Sequence, residues 1–225
     1  MTLSYHVILK NSDFFERLPN SFNNEWIHAK KFIDWQNLSE LSDKEVKDRV
    51  LKFLNQWSSH IPKTNEVVKG IKAAHKELKP YLIELINENL WDSNFNKQIM
   101  INNENITIEK AIYVTFKKFR DIGFKLREVA SSKLLHQINP NLFIMWDNKI
   151  MKAYQIKGSE YSYVYEFLPL MQELLNEVII SYMEENNVNR NEAIFKLNNI
   201  KKYKTMVKLL DEYNWINYTY FNRTR

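Results

Sequence analysis

The sequence predicts an all-α fold, and three observations carry that prediction. Apolar residues recur at every third or fourth position far more often than at every second position. Glycine and proline residues such as Pro62, Gly123, Pro140 and Gly158 fall between these apolar runs, where helices end. The chain has 225 residues, of which 44% are hydrophobic. A chain of this length buries roughly 70% of its unfolded surface in a core, so we expect a globular helical protein that folds without disulfides.

The first predicted helices lie between residues 42 and 89. Ser42 and Glu45 have the spacing of a capping box, so a helix begins directly after Ser42 and stops near Pro62. A second helix is expected over about residues 63–89, where Pro80 either kinks it or divides it in two.

Residues 91–105 are polar and lack a helical period. They predict a loop that contains a short hairpin around residues 98–101 and Ile106. This loop is the best internal boundary, dividing the chain into an N-terminal helical region, 1–105, and a second helical region, 106–225. We expect either two domains or one compact unit with two lobes.

Two helices separated by a tight turn follow this loop. Thr107 caps the first helix and Gly123 breaks it, whereas the second helix begins near Leu126 and ends at Asn139. A short apolar link then leads to Asp147, which stands at the N-cap position of another helix.

The last quarter of the chain is also predicted to be largely helical. Residues 163–183 predict a long apolar helix, and a shorter helix starts near Asn189. Residues 213–221 form an aromatic tail for which the spacing predicts no element.

The composition excludes several classes of site. Without cysteine, the chain has no disulfide, no thiolate metal site and no cysteine nucleophile. Three glycines, at positions 70, 123 and 158, cannot supply a P-loop or a GxGxxG motif. The histidines show no metal-ligand spacing, and no apolar run approaches the length of about 20 residues that a membrane span needs. We therefore expect a cytoplasmic, non-membrane protein with no catalytic metal and no nucleotide cofactor.

Positive charge is concentrated in two stretches of the chain. The formal net charge is +5, and residues 110–133 alone carry seven basic side chains against two acidic ones. Residues 190–208 carry six basic side chains against one acidic one. Two such stretches favour a polyanionic partner, with nucleic acid as the leading candidate.

The most informative stretch is residues 122–154, IGFKLREVASSKLLHQINPNLFIMWDNKIMKAY. It predicts, in order, a helix, a tight turn, a second helix, an apolar link and an acidic cap on a further helix. This order resembles the core of the helix-hairpin-helix DNA glycosylase superfamily, in which a turn of the form LPGVGRKTA precedes a D-x-H-V-x-R-V element that supplies the catalytic aspartate. Arg127 takes the place of the basic residue of that turn, and Asp147 that of the aspartate, nineteen residues after Glu128.

The resemblance implies a two-lobed helical fold with a cleft for double-stranded DNA. It implies an enzyme that flips a modified base out of the duplex and hydrolyses its N-glycosidic bond, in DNA repair or in phage defence. Glu128 stands where bifunctional members carry the lysine that forms a Schiff base, so the resemblance implies a monofunctional enzyme. Gly123 is displaced by one position from the family's first hairpin glycine, which favours an outlying branch such as the bacterial enzymes that excise glucosylated hydroxymethylcytosine. The hairpin carbonyls are a candidate site for a monovalent cation, and we expect a monomer.

Asp147 is the leading catalytic candidate because hydrolysis of an N-glycosidic bond builds positive charge on the sugar, which a carboxylate stabilises. Glu128 and His136, on the adjoining helix, are weaker candidates for assisting the reaction. The candidates for the base pocket are aromatic: Trp146, Phe143, Tyr154 and Trp35. The candidates for DNA binding lie around the hairpin and the aspartate: Gly123, Lys125, Arg127, Lys133, Lys149 and Lys152.

Plainer interpretations stay open at this point. In one of them Asp147 only caps a helix, and the protein is a non-catalytic helical nucleic-acid-binding module. Trp146 is then a core residue and His136 a hydrogen-bonded helix residue. A helical protein-interaction or toxin-like domain is a third class, distinguished by weak DNA binding with no steep dependence on salt.

Overall fold

The computed structural model describes residues 2–18, 22–57, 60–122 and 127–221, and these residues form a mostly helical protein, as predicted. The α-helices of the first half are α1 (Tyr5–Glu16), α2 (Phe22–Phe32), α3 (Asp43–Glu45), α4 (Leu51–Gln56) and α5 (Asn65–Leu85). Those of the second half are α6 (Ile108–Arg120), α7 (Glu128–Ile138), α8 (Asn148–Ala153), α9 (Glu160–Ser162), α10 (Leu168–Asn186), α11 (Arg190–Asn199) and α12 (Met206–Asn214). A 3-10 helix covers Trp35–Glu40, and π-helical segments cover Val46–Val50, Tyr163–Phe167 and Trp215–Tyr220. No described helix is both long and apolar enough to cross a membrane.

The predicted capping box at Ser42 is confirmed. The Ser42 side chain accepts from the Glu45 amide, and the Glu45 carboxylate accepts from the Ser42 amide. The helical run that starts here ends at Gln56 and not near Pro62. Beyond the helix, the Asn55 side chain bonds both backbone groups of Ile61, which holds Ile61 beside the end of α4.

The predicted hairpin is confirmed as two antiparallel strands, β1 (Gln98–Ile101) and β2 (Glu104–Thr107), with Ile101 paired to Glu104. Asn102 and Asn103 form the two-residue turn, and both have positive φ, at 51° and 67°. Asparagine tolerates this left-handed region, which the favoured two-residue hairpin turns require.

Helix α5 is a single helix from Asn65 to Leu85, so Pro80 does not divide it. Gly70 on this helix faces the chain just after α6, where a Cβ atom would lie 2.6 Å from Ile122 Cγ2. The absence of a side chain at Gly70 therefore lets α5 approach the start of the predicted hairpin turn.

Helix α6 is capped by Thr107, as predicted, and buries residues at spacings of three and four along one face. Helix α7 is different, because every residue from Ala130 to Ile138 is buried. A helix that is buried on all sides lies in the centre of a fold. The hydroxyls of Ser131 and Ser132 bond carbonyls one turn back, which satisfies them without water.

The link between α7 and α8 is fixed by Asn139. Its side-chain amide donates to the carbonyls of Leu85 and Glu88, at 2.8 and 3.1 Å, while its oxygen accepts from the backbone of the link. It thereby joins the end of α5 to the end of α7. Residues 142–146 that follow are all buried.

The predicted regions 1–105 and 106–225 contribute to one continuous hydrophobic core. Helix α1 packs against α12, and α5 packs against α6. The tail from Tyr213 to Phe221, which the spacing did not classify, is helical as far as Tyr220 and packs on α8. The C-terminal segment thus reaches the neighbourhood of Asp147.

Part of the second basic stretch is buried and is not available to a polyanion, which corrects the expectation from its charge for these residues. Lys204 and Lys208 are 3% and 0% exposed. Lys201 and Lys204 pair with Glu16 on α1, at 3.0 and 2.8 Å, and Lys208 pairs with Asp211, at 2.6 Å. Lys201 and Lys204 thereby connect α1 to the segment before α12, whereas Lys196 and Lys202 of the same stretch are exposed.

Candidate active site

A cavity of about 510 Å³ opens where four parts of the described chain meet. The start of α7 forms one side of the cavity. Residues 145–150, which include Asp147, form its floor. The C-terminal part of the chain contributes Asp211, Trp215 and Thr219 to the cavity wall. The N-terminal half contributes Trp57 and His60. The cavity therefore collects residues from both halves of the sequence.

Asp147 is the N-cap of α8, as predicted. Its Oδ1 accepts from the backbone amides of Lys149 and Ile150, at 2.8 and 2.9 Å. Its Oδ2 accepts from the Thr219 hydroxyl at 2.6 Å. A carboxylate oxygen accepts more than one hydrogen bond, so Oδ2 keeps capacity for a further donor.

Trp146 holds the backbone before Asp147 in place. Its ring is 1% exposed, and its Nε1 donates to the Glu128 carbonyl at 3.2 Å. Its amide donates to Ser132 Oγ at 3.3 Å, and its ring packs edge-on against Tyr163. Trp146 borders the cavity, but most of it is core, so it supports the floor more than it lines the walls.

A second carboxyl group, Asp211, lies on the cavity wall. It is 3% exposed, and burial raises its pKa to about 6, with the neighbouring Glu212 and Asp147 carboxylates adding to the rise. The Lys208 ammonium, 2.6 Å from Asp211 Oδ2, opposes that rise. Asp147 and Asp211 thus border one cavity in different environments, which is the arrangement that separates acid and base roles.

Lys133 is not on the DNA-facing surface where the sequence placed it. It is 6% exposed, borders the cavity and donates to the Trp57 carbonyl. Its position corrects the expectation of a phosphate contact, and it places a cation inside the cavity. The carbonyl it bonds belongs to the residue that follows α4.

Three other predicted DNA-binding residues lie around the cavity opening. Arg127 is exposed, Lys149 is half-buried, and both border the cavity. Lys152 is exposed one turn further along α8. Among the described residues these three form no ion pair within 4 Å. Gly123 and Lys125 lie outside the described residues.

The basic residues at the end of α6 are engaged within the protein. Arg120 pairs with Asp121 and Glu160, and Lys117 pairs with Asp121. Among the predicted DNA-binding residues that the structure describes, the cations outside these ion pairs are therefore Arg127, before α7, and Lys149 and Lys152, on α8.

Of the two weaker catalytic candidates, Glu128 borders the cavity and His136 lies in the core. Glu128 is half-buried and borders the cavity. His136 is fully buried, and its Nδ1 lies 2.6 Å from the Phe143 carbonyl, to which it donates. Burial lowers the pKa of His136 to about 3, with the positive charge of Lys208 adding to the effect. A neutral core histidine of this kind cannot reach a substrate in the cavity, so we remove it from the candidate site.

Three of the four predicted pocket aromatics lie outside the described cavity wall. Phe143 is fully buried, and Trp35 is 4% exposed with its Nε1 donating to the Ala29 carbonyl. Tyr154 donates its hydroxyl to Asn214 at 2.7 Å. The aromatic residues that border the cavity with Trp146 are Trp57 and Trp215.

Asp211, Thr219 and Trp215 were missed by the sequence analysis. One signal was available for Asp211. Lys208 and Asp211 are three apart within a run of apolar residues, MVKLLDEYNWI, where a charged pair is flanked on every side by core positions. Thr219 carries no such signal, because its partner Asp147 is 72 residues away.

Comparisons with protein-family models, with curated proteins and with solved structures found no match to this chain.

Proposed function

We propose that the protein is a monofunctional DNA glycosylase that hydrolyses the N-glycosidic bond of a modified base and leaves an abasic site. The observation that carries the proposal is the position of Asp147. A carboxylate held by two backbone amides and a hydroxyl lies on the floor of a cavity that has cations at its opening. The two helices α6 and α7, joined through residues 121–127, lead into this site.

The chemistry assigned to Asp147 follows from its charge. As the bond from the sugar C1′ to the base breaks, positive charge develops on the sugar, and a fixed carboxylate stabilises it without reorganisation. The same carboxylate orients a water molecule and accepts its proton as the oxygen attacks C1′. Asp147 Oδ2, which accepts one hydrogen bond from Thr219, is the atom available for that contact.

The base is proposed to enter the cavity after it leaves the stack. Trp57 and Trp215 border the cavity and offer aromatic faces to a flipped base. Arg127, Lys149 and Lys152 are proposed to hold the flanking phosphates, which supplies affinity without sequence information. On this proposal the fold is the two-lobed arrangement of helix-hairpin-helix glycosylases, and the chain acts as a cytoplasmic monomer, in repair or in phage defence.

A non-catalytic nucleic-acid-binding module is the second candidate, and one observation favours it. Both oxygens of Asp147 already accept hydrogen bonds within the protein. An aspartate that only caps a helix and bonds a threonine shows the same geometry. The two candidates share the cationic opening but differ in whether DNA is altered.

The two candidates are separated by a base-release assay. Duplexes that each carry one modified base, including uracil, 8-oxoguanine, 3-methyladenine and glucosylated hydroxymethylcytosine, are incubated with the protein and then treated with alkali. We expect strand breaks at the modified base only after alkali, together with the free base in solution. Breaks without alkali contradict the monofunctional assignment. DNA that is bound but never loses a base leaves only the binding module.

A further inference from the structure

We propose that Asp211 is the general acid that protonates the departing base, acting across the cavity from Asp147. This inference rests on the proposed glycosylase function. Because Asp147 is proposed to accept the proton of the attacking water, the proton for the leaving group has to come from another residue. Asp211 borders the same cavity and lies on α12, outside the hairpin and its following helix.

The geometry leaves one oxygen of Asp211 available. Its Oδ2 accepts from Lys208 Nζ at 2.6 Å, and within the described chain its Oδ1 forms no hydrogen bond. Asp211 is 3% exposed yet borders the cavity, so its carboxyl group is shielded from bulk water while it stays next to the space where a base is proposed to bind. Lys208 fixes the orientation of the carboxyl group.

The charge balance of the surrounding cluster favours a proton at this position. Lys201, Lys204 and Lys208 pair with four carboxylates, those of Asp13, Glu16, Asp211 and Glu212. The buried members are two cations and two carboxylates, because Asp13 and Glu16 have side chains that are 47% and 33% exposed. Asp147 adds a further negative charge near Asp211. An ionised Asp211 would stand beside the Glu212 and Asp147 carboxylates, and this repulsion is relieved when Asp211 takes up a proton.

Asp211 is the member that takes up the proton. Glu212 has Lys204 within 3.0 Å of each of its carboxylate oxygens and does not border the cavity in the described chain. The titratable and charged groups around Asp211 come from α12, α7, the cap of α8 and the π-helical segment after α9: Lys208, Glu212, Glu128, Lys133, Asp147 and Tyr163. Burial and the two neighbouring carboxylates raise the pKa of Asp211 to about 6, which lies near the operating pH, where a general acid is most effective.

The proposed step balances as follows. Asp211 Oδ1 gives its proton to a nitrogen or oxygen atom of the base while the C1′–N bond breaks and its electron pair goes to the base. A water oxygen forms the new bond to C1′, and the water proton goes to Asp147. The products are a neutral base and an abasic sugar. Asp211 then regains a proton from solvent as Asp147 releases one.

The test is the pH dependence of single-turnover base release, using the uncharged base that the wild-type protein releases fastest from the duplex panel. We expect the wild-type rate to fall about tenfold per pH unit above the pKa of Asp211. Asp211→Asn is expected to lose about 100-fold or more at pH 5.5 and to show no such fall, because asparagine has no proton to transfer. Glu212→Gln changes the same cluster without touching the cavity. It is expected to keep a tenfold fall per pH unit, but with the fall beginning at lower pH, because a carboxylate that raises the pKa of Asp211 has been removed.

Each other outcome decides against the inference. If Asp211→Asn keeps the fall with pH, or loses less than about threefold, Asp211 is a structural residue while the glycosylase function stands. If the wild-type protein releases no base from any duplex, the proposed function fails, and this inference fails with it. Should Asp211→Asn not fold, the double variant Lys208→Met with Asp211→Asn removes the unpaired cation and is measured in its place.

Discussion

The Thr219 hydroxyl donates a hydrogen bond of 2.6 Å to Asp147 Oδ2 across 72 residues of sequence. The two backbone amides on Oδ1 tie the carboxylate to α8, whereas Thr219 fixes its rotation from the C-terminal π-helical segment. The orientation of the candidate catalytic group therefore depends on how the end of the chain packs.

Thr219→Val is expected to slow base release by about 10- to 100-fold, because valine keeps the shape of threonine but cannot hold the carboxylate, and small displacements of reacting groups are costly. Thr219→Ser keeps the hydroxyl and is expected to restore most of the rate. Single-turnover rates and DNA affinity are both measured. If Thr219→Val weakens DNA binding in proportion to the rate, Thr219 does not position Asp147.

The cationic opening of the cavity is expected to determine the salt dependence of DNA binding. Replacing Arg127, Lys149 and Lys152 together with glutamine removes up to three phosphate contacts and should reduce the slope of log K against log salt by up to about 2.7. The control replaces Lys10, Lys76 and Lys196, which are exposed and lie outside the cavity wall. Equal slopes for the two triple variants would mean that DNA does not bind over the cavity.

The buried His136 is expected to make the protein more stable as pH rises. Its pKa is about 3 in the folded state against 6.5 as a model value, so the unfolded chain binds the extra proton between these values. Its contribution is fully present above pH 6.5 and is lost as pH falls towards 3. The free energy of unfolding of the wild type, relative to His136→Leu, should rise by about 2–3 kcal/mol between pH 4 and 6.

Two variants check the assignment of that pH dependence. His28→Gln alters an exposed histidine and should leave the difference unchanged. Asp211 acts in the opposite direction, because its folded pKa of about 6 lies above its model value of 3.8. Its contribution is present below pH 3.8 and is lost as pH rises through 6, so Asp211→Asn should make the rise with pH steeper. A flat difference between the wild type and His136→Leu would show that His136 is not buried in its neutral form.

Gly70 is expected to be required for the packing of α5 against the end of α6. Alanine in a helix interior is normally about 0.5–1 kcal/mol more stable than glycine. At Gly70 the added Cβ meets the branched Ile122 side chain at 2.6 Å, so Gly70→Ala should instead lower the free energy of unfolding by about 1–3 kcal/mol. Chemical denaturation measures the change.

Gly158→Ala is the matched control for Gly70→Ala. Its Cβ would meet the flexible Met151 sulfur at 3.3 Å, so stability should change by less than about 0.5 kcal/mol. Adding Ile122→Ala to Gly70→Ala should relieve the clash. If the double variant is as destabilised as the sum of the two single changes, the two positions are not in contact.

The local features of this protein could be predicted from its sequence. The caps at Ser42, Thr107 and Asp147, the start of a helix near Asn189 and the hairpin at residues 98–107 are all confirmed. These features depend on residues within a few positions of one another, so the spacing alone carries the signal.

The long-range features could not be predicted, because their partners are distant in sequence. Lys204 looks like a solvated lysine until α1 brings Ser12 and Glu16 to it, 192 and 188 residues away. In the sequence Lys133 likewise looks like a surface cation, yet it is buried and donates a hydrogen bond to the Trp57 carbonyl. Charge patterns predict a polyanion surface only where tertiary pairing does not use the charges.

The proposed role of Asp147 as the catalytic base is tested most directly by comparing the wild type with Asp147→Asn in single-turnover base release. Asparagine is nearly as good an N-cap as aspartate, so the melting temperature should change little, while an amide cannot accept the proton of water. We predict a loss of at least about 100-fold in the rate of abasic-site formation with DNA affinity retained. A folded Asp147→Asn variant that releases base at the wild-type rate would show that Asp147 is not the catalytic base.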